Sequence, residues 1–233
     1  MSTTSRRAKA HALNREAIKN GAILDLVAEA ERLGLLRAWS HEERAASLAA
    51  TLAERPRGAP VWVFGYGSLM WNPAFEHVER RPGLIRGFHR RFCLWTPLGR
   101  GSPDNPGLVL GLESGGSCRG VAFRLDEAQI AEELDILWSR EMVGGAYSAR
   151  WVTVETDAGP VAAITFTINH GHERYAERLH PDETARALAT AAGALGSCAE
   201  YLENTVAHLD ELGIGDGPMH DLLARVRAIC AAT

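Results

Sequence analysis

A glycine-containing loop, Phe64-Gly65-Tyr66-Gly67-Ser68-Leu69-Met70-Trp71, follows a short apolar run in this 233-residue chain. Glycines on both sides of a tyrosine allow backbone N–H groups to approach a ligand closely, which suits a carboxylate or a developing oxyanion. The alternative is a tight turn in which the Ser68 hydroxyl bonds its own backbone. A nucleophilic Ser68 has weaker support, because the sequence around it lacks the G-x-S-x-G pattern of serine hydrolases.

Glu141 is the second candidate, because of its place at the end of a predicted helix. At helical spacing the apolar face of that helix consists of Ile130, Leu134 and Leu137, and Glu141 continues the same row. Burial and the negative end of the helix would both raise the pKa of this carboxyl, as a general base near neutrality requires. The alternative is a structural ion pair with a neighbouring arginine such as Arg140.

The sequence His170-Gly171-His172, followed by Glu173, contains residue types that bind metals. Two histidines separated by a glycine in a polar loop are more typical of a solvated connection, and the chain has no H-E-x-x-H pattern. The sequence therefore favours a site without a metal.

Arg90 and Arg91 lie in a run that alternates like a β-strand, so only one of them can point inward with Phe88 and Phe92. A guanidinium suits the recognition of carboxylates, which makes the inward arginine a candidate for binding an acidic substrate. The alternative for this pair is an exposed strand face.

An α+β domain is expected to position these residues, because strands predominate first and helices later, without β-α-β alternation. Apolar spacing predicts one helix over about residues 14–36, and a capping box at Ser40 predicts a second to about residue 55. The Pro56–Pro60 segment predicts a boundary between a helical N-terminal extension (1–57) and the main domain (58–233). Further predicted strands are 61–66, 84–95, 108–113, 120–125, 147–156 and 161–168, with a turn at Gly115-Gly116, and predicted helices are 126–140 (capped by Asp126), 181–192, 197–212 and 218–229.

Composition narrows the classes of function. The net charge of −4 argues against a broad nucleic-acid surface, and no apolar run approaches the roughly 18 residues of a membrane helix. The only lysines are Lys9 and Lys19, so neither a P-loop nor a pyridoxal-phosphate Schiff base fits the rest of the chain. The four cysteines form no C-x-x-C pair. The first residues are basic but no apolar signal core follows, so the expected location is the cytoplasm.

Six segments follow one another after the Pro56–Pro60 break: VFGYGSLMW (63–71), GFHRRFCLW (87–95), NPGLVLGLE (105–113), CRGVAFRL (118–125), WSREMVGGAY (138–147) and EYL (200–202). This succession resembles the ChaC-type, glutathione-specific γ-glutamylcyclotransferases, within the wider γ-glutamylcyclotransferase-like superfamily. A YGSL loop alone is a weak signal, but the loop, the RRF strand and the W-x-R-E-M segment in this order are specific. Roughly the first 60 residues carry none of these motifs.

The resemblance implies a small mixed β-barrel with peripheral helices and an intramolecular reaction. The α-amine of a γ-glutamyl group attacks the γ-carbonyl, and glutathione yields 5-oxoproline and Cys-Gly. The resemblance implies no metal or organic cofactor, and the expected partner is the small-molecule substrate, with no nucleic acid, membrane or obligate protein partner. It makes Glu141 the acid/base. The residues expected to contact the substrate are Tyr66, Gly67, Ser68 and Leu69, which hold the glutamyl group, Tyr147 and Tyr201, which line the pocket, and Arg91, which meets the glycine carboxylate.

Two alternatives from other functional classes remain open. One is a hydrolase or acyltransferase with Ser68 as the nucleophile, and the other is a non-catalytic module that binds or senses γ-glutamyl ligands. The position of Glu141 within the matching segment favours the cyclotransferase, because a binding module has no need of an acid on an apolar face. Labelling of Ser68 by a serine-reactive probe would favour the first alternative, and glutathione binding without turnover would favour the second.

Overall fold

The computed structural model describes residues 14–232 of the chain. Five strands form a closed barrel: β1 (Trp62–Gly65), β2 (Glu79–Thr96), β3 (Gly107–Arg124), β4 (Tyr147–Thr156) and β5 (Val161–Ile168). Their order is β1-β3-β2-β4-β5, and β5 closes the barrel by pairing in parallel with β1, whereas the other neighbours in this order are antiparallel. A two-stranded ribbon, β6 (Ala192–Gly193) and β7 (Gly196–Ser197), lies outside it.

Seven helices belong to the described part of the chain, and none of them is long and apolar enough to cross a membrane. The mixed barrel with peripheral helices is the α+β architecture that the sequence predicts. The helices are α1 (Arg15–Lys19), α2 (Ala22–Arg32), α3 (His41–Ala53), α4 (Ile130–Glu141), α5 (Pro181–Thr190), α6 (Cys198–Glu211) and α7 (Gly217–Ala231).

The long β2–β3 hairpin differs from the prediction. The sequence predicts two strands separated by a turn at Gly115-Gly116, but β3 is continuous through both glycines. Gly115 and Gly116 have φ values of +96° and +74°, and the register shifts nearby on β2, around Gly87 with φ +82°. Glycines accept these left-handed conformations, so the two strands bend together here without ending their pairing.

Two predicted helices have different bounds in the structure. The single helix expected over residues 14–36 is two helices, because α1 ends at Lys19 and Gly21, with φ +87°, begins a new helix. The helix expected from Asp126 begins at Ile130, and the Asp126 carboxylate instead accepts a hydrogen bond from the backbone of Ala128 in the preceding turn. The capping box at Ser40 and the β4–β5 hairpin are confirmed.

Helices α1 and α2 pack against the barrel domain. Ile23 and Val27 of α2 form a buried cluster with Ile136 of α4. Arg15 of α1 pairs with Glu133 of α4, whose side chain is fully buried. The division of the chain into 1–57 and 58–233 remains a prediction, since these contacts describe packing and not independent folding.

Aromatic packing places α4 against the barrel. Trp138 of α4 is fully buried and meets the Phe166 ring of β5 edge-on, with ring centroids 5.4 Å apart. Its indole N–H donates to the Ser47 hydroxyl of α3 at 3.3 Å. Since Glu141 is one helical turn beyond Trp138, this packing sets where the Glu141 carboxyl lies relative to the strand ends.

Candidate active site

Glu141 is the last residue of α4, and its side chain faces a cleft beside the barrel. Leu134 and Leu137 of the same helix are fully buried, so the predicted inward row is confirmed. The Glu141 side chain is 16% exposed, and its carboxylate lies 3.0 Å from Arg140 Nε. Burial raises the pKa of Glu141, and the charge of Arg140 lowers it in part.

The loop after β1 forms a short 3₁₀ turn over Ser68–Met70. The Met70 N–H donates to the Gly67 carbonyl at 2.9 Å, and the first N–H groups of such a turn have no partner within it. Gly67 is closely surrounded: a Cβ there would lie 3.1 Å from the Tyr201 hydroxyl and 3.3 Å from the Leu110 side chain. A larger residue would therefore displace the pocket wall.

Arg140 connects the loop to the acid. Its guanidinium donates to the Ser68 hydroxyl at 2.7 Å and to the Asn72 carbonyl at 2.5 Å, while its Nε faces Glu141. The Arg140 side chain is only 6% exposed. The predicted ion pair of Glu141 with a neighbouring arginine is therefore present, and it coexists with the exposure of Glu141 to the cleft.

Three tyrosines surround the carboxyl. The Tyr66 hydroxyl donates to the Phe166 carbonyl at 2.9 Å, and the Tyr147 hydroxyl donates to the Leu110 carbonyl at 2.7 Å. The Tyr201 ring meets Phe92 edge-on at 5.8 Å. Burial raises the pKa of all three tyrosines, so they remain neutral near pH 7 and add no negative charge beside Glu141.

These groups line a small cavity of about 30 Å³ beside a cleft of about 960 Å³. The two spaces are adjacent, because Ser68, Glu141, Tyr147 and Tyr201 line both of them. Seven of the eight predicted site residues meet here. The residues of the small cavity are Tyr66, Gly67, Ser68, Leu69, Leu110, Glu141, Tyr147, Phe166 and Tyr201.

Arg91 is the exception, because the structure places it outside both spaces. Its guanidinium donates to the Glu113 carboxylate at 2.6 Å and to the Glu177 carbonyl at 3.1 Å. Arg90 is the inward residue of the pair, with its Nε 2.9 Å from the Asp216 carboxylate. The expected contact between Arg91 and a substrate carboxylate is corrected accordingly: neither arginine of this strand reaches the cleft.

Three other arginines, which no sequence pattern predicts, line the cleft: Arg227 of α7, and Arg100 and Arg174 of two loops. Arg100 lies in the loop between β2 and β3 and Arg174 in the loop between β5 and α5, and both are half-buried. Burial lowers the pKa of Arg100 and of Arg174. Neither loop has a pattern that marks an arginine as functional, and Arg174 directly follows the His170–Glu173 segment, which contains residue types that bind metals.

The His170–Glu173 segment has structural contacts. His170 Nε2 lies 2.9 Å from the Glu113 carboxylate, and His172 Nε2 lies 2.9 Å from the Gly144 carbonyl. Over residues 14–232, no three His, Cys, Asp or Glu side chains are grouped so that they could hold a metal ion.

The N-terminal extension supplies one wall of the cleft. Apolar side chains of α2 and of the segment after it face the same space as Glu141. The extension is thus part of the site as well as of the fold. These wall residues are Ile23, Leu26, Val27, Ala30 and Leu36.

The chain is similar in sequence and in fold to known proteins. A family model described as "ChaC-like protein" matches residues 61–229. The chain is 46% identical over 194 residues to the glutathione-specific gamma-glutamylcyclotransferase of Escherichia coli (strain K12), covering 83% of this chain and 84% of that protein. It is 35% identical over 147 residues to glutathione-specific gamma-glutamylcyclotransferase 1 of Danio rerio, covering 61% and 75%.

The similarity to the bacterial protein extends beyond the family match. An alignment over 83% of the chain leaves about 40 residues unmatched, so it includes part of the extension before residue 61, which the motifs did not show. Among solved structures, a glutathione-specific γ-glutamyl cyclotransferase from yeast superimposes with a TM-score of 0.67 at 23% identity, covering 73% of this chain and 97% of that one. At that identity the likeness concerns the fold.

Proposed function

This chain belongs to the ChaC-like family, and we propose that it is a lyase of glutathione catabolism that cleaves glutathione to 5-oxoproline and Cys-Gly. The observation that carries the proposal is the small cavity in which the Tyr66–Leu69 loop meets the Glu141 carboxylate. The activity named for the relative that is 46% identical supports the same reaction.

Glu141 acts first as a base. The α-amine of the glutamyl group, with an ordinary pKa of about 8, is mostly ammonium at neutral pH and cannot attack a carbonyl. The Glu141 carboxylate accepts a proton from the ammonium. Because the pKa of Glu141 is raised, the difference between the pKa of the ammonium and that of the carboxyl group is smaller, which favours this transfer. The amine nitrogen then forms a bond to the γ-carbonyl carbon of the same molecule.

Glu141 next acts as an acid. The tetrahedral intermediate loses the bond between the γ-carbon and the cysteine nitrogen, and the protonated Glu141 delivers its proton to that leaving nitrogen. The ring nitrogen also loses its second extra proton, which passes to the released amine of Cys-Gly. The products are 5-oxoproline and Cys-Gly with an ammonium group, and Glu141 returns to its carboxylate form. The nucleophile belongs to the substrate, so the protein contributes proton transfer and a folded substrate conformation.

The Tyr66–Leu69 loop holds the glutamyl end. Its glycine and the 3₁₀ turn after it present backbone N–H groups that suit either the α-carboxylate or the oxyanion on the γ-carbonyl. Tyr147 and Tyr201 form the neutral sides of this pocket.

The contact of Ser68 does not favour the serine-nucleophile alternative. Its hydroxyl accepts a hydrogen bond from Arg140, and a guanidinium cannot take the proton that an attacking serine must lose. In this proposal Ser68 holds the loop against Arg140.

Incubation with reduced glutathione tests the function. Mass spectrometry is expected to detect 5-oxoproline and Cys-Gly in equal amounts, and glutathione binding without either product would favour the binding module instead. Selectivity is part of the proposal: at equal concentration, glutathione is expected to exceed γ-glutamyl-alanine in kcat/KM. Comparable values would point to a broader cyclotransferase.

The proposal includes the cytoplasm as the location and glutathione as the partner that the reaction requires. Fractionation of cells that express a tagged full-length chain tests the location. Activity of the purified chain alone tests whether a protein partner is needed.

A further inference from the structure

Two cations of the cleft, Arg100 and Arg174, have no carboxylate within 4 Å among residues 14–232. Arg140 pairs with Glu141, and Arg227 pairs with Glu203 at 3.3 Å. Arg100 donates to the Ser197 carbonyl at 3.0 Å, lies over the Tyr201 ring at 4.9 Å, and gains from the charge of nearby Glu200. Arg174 has no such ring contact among the described residues, and its chain neighbour Glu173 acts on it only from beyond 4 Å.

Arg174 is also poorly satisfied in its hydrogen bonds. Its Nε is fully buried and has no hydrogen-bond partner within the described chain. The contact of its Nη1 with the Trp95 carbonyl is long, at 3.5 Å. Arg90 Nε is the other buried nitrogen of this kind, but it lies beside the Asp216 carboxylate. A half-buried guanidinium that lacks both a counter-ion and a full set of acceptors is costly, unless a ligand completes it.

The main chain of Arg174 is nevertheless fixed. Its carbonyl accepts from the Trp95 N–H of β2 at 2.9 Å, and its N–H donates to His172 Nδ1 at 3.2 Å. Its Nη2 lies beside Gly144, in the short segment that joins Glu141 to Tyr147. The guanidinium therefore has a defined position next to the acid's own loop, on the wall of the large cleft and outside the small cavity.

We propose that Arg174 binds the glycine carboxylate of glutathione, and so selects the tripeptide over shorter γ-glutamyl compounds. The inference rests on the proposed function, which places the glutamyl group in the small cavity. The Cys-Gly end must then extend into the large cleft, and an extended tripeptide spans roughly 10 Å. A planar guanidinium pairs with a carboxylate through two parallel hydrogen bonds.

The test compares glutathione with its ethyl ester at the glycine carboxylate, in the wild-type enzyme and in Arg174→Met. The wild type is expected to prefer glutathione by about 10- to 100-fold in kcat/KM, the size expected for hydrogen bonds to a charged group. In Arg174→Met this preference is expected to fall to near unity, because KM for glutathione rises while KM for the ester changes little. The kcat at saturating substrate should be nearly retained, since the contact is remote from the reacting atoms.

Arg227→Met is the matched control, because Arg227 is a cation of the same cleft that already has a carboxylate partner. It is expected to keep the wild-type preference for glutathione over the ester. Arg174→Gln, which removes the charge but keeps a polar side chain, serves as a second variant if the methionine variant does not give a cooperative thermal melt.

Three outcomes would overturn the assignment of Arg174. They are a wild-type enzyme that does not distinguish the ester, an Arg174 variant that retains the full preference, and loss of the preference in Arg100→Met but not in Arg174→Met. Failure of the proposed function gives a different result, since the wild type would then release no 5-oxoproline from either substrate.

Discussion

Replacement of Glu141 by glutamine tests the chemistry most directly. Glutamine keeps the volume of the side chain and an oxygen that can accept from Arg140 Nε, but it cannot take the ammonium proton. Loss of a general base costs about 10²- to 10⁴-fold in rate, or roughly 3–5 kcal/mol of transition-state stabilisation, and more when proton delivery to the leaving nitrogen is lost as well. We therefore expect kcat of Glu141→Gln to fall by at least about 100-fold.

Stability should change little, because two effects oppose each other. Burial raises the pKa of Glu141 in the folded protein above its value in the unfolded chain. The ionised carboxylate therefore lowers the free energy of unfolding at a pH above the folded-state pKa, and this loss disappears as the pH falls through the folded-state pKa. Glutamine removes the cost but leaves the buried Arg140 without its counter-charge. We expect a shift in Tm of no more than about 4 °C at pH 7, which corresponds to about 1 kcal/mol for a chain of this size.

The assay measures 5-oxoproline release by mass spectrometry, with circular dichroism for folding and calorimetric titration for glutathione binding. Glu203→Gln is the matched control, because it makes the same substitution on a carboxylate of the same cleft that pairs with Arg227. It is expected to retain kcat within about twofold. A Glu141→Gln variant with near-full kcat, together with an inactive Ser68→Ala variant, would refute the base assignment and restore the serine nucleophile.

Three further predictions concern the loop, the pH profile and the extension. Ser68→Ala should retain partial activity, about tenfold below wild type, because it loses one hydrogen bond from Arg140; complete loss in the same assay would contradict this. The kcat/KM should fall on acidification with an apparent pKa above 4.5, since Glu141 must be ionised to act as a base; a pH titration with a midpoint at or below 4.5 would contradict a raised pKa. Deletion of residues 1–57 should leave a cooperative thermal melt but raise KM for glutathione, because the α2 wall of the cleft is lost; a non-cooperative melt would place the extension in the core.

Local patterns predicted the elements that local interactions determine. The Ser40 capping box, the β4–β5 hairpin and the inward row of α4 all follow from residues within a few positions of one another. The wrong predictions of element bounds lie at glycines, where the backbone can either bend within an element or end it. The pair Gly115-Gly116 is typical of a turn, but the pairing of β3 with β2 continues through it. Gly21 divides into two helices a segment whose apolar spacing predicts one. Only the tertiary context decides between a bend and an end at such positions.

The arginines of the cleft likewise could not be predicted from local sequence patterns. Alternation along the strand predicts that one of Arg90 and Arg91 points inward, and Arg90 does so, but the inward space is filled by Asp216 of a distant loop. Arg174 contacts Trp95 and Gly144, which are 79 and 30 residues away in the chain. Whether an arginine has a carboxylate partner depends on contacts between residues that are distant in the chain, and no local sequence motif predicts such contacts.

Arg140 links Glu141 to the Tyr66–Leu69 loop, so that in the proposed mechanism the acid and the loop act as one unit. The residue adjoins Glu141 in the sequence, yet two of its three polar contacts are with Ser68 and Asn72 on the other side of the site. Because the Arg140 side chain is almost fully buried, the guanidinium cannot exchange these partners for water without a large cost. A displacement of the loop would therefore move the counter-charge of Glu141, and with it the pKa that the base requires. Arg140→Lys keeps the charge but has no planar set of donors, so it should disturb the loop and the acid limb of the pH profile together. A shift in KM alone, with the acid limb unchanged, would show that the two are independent.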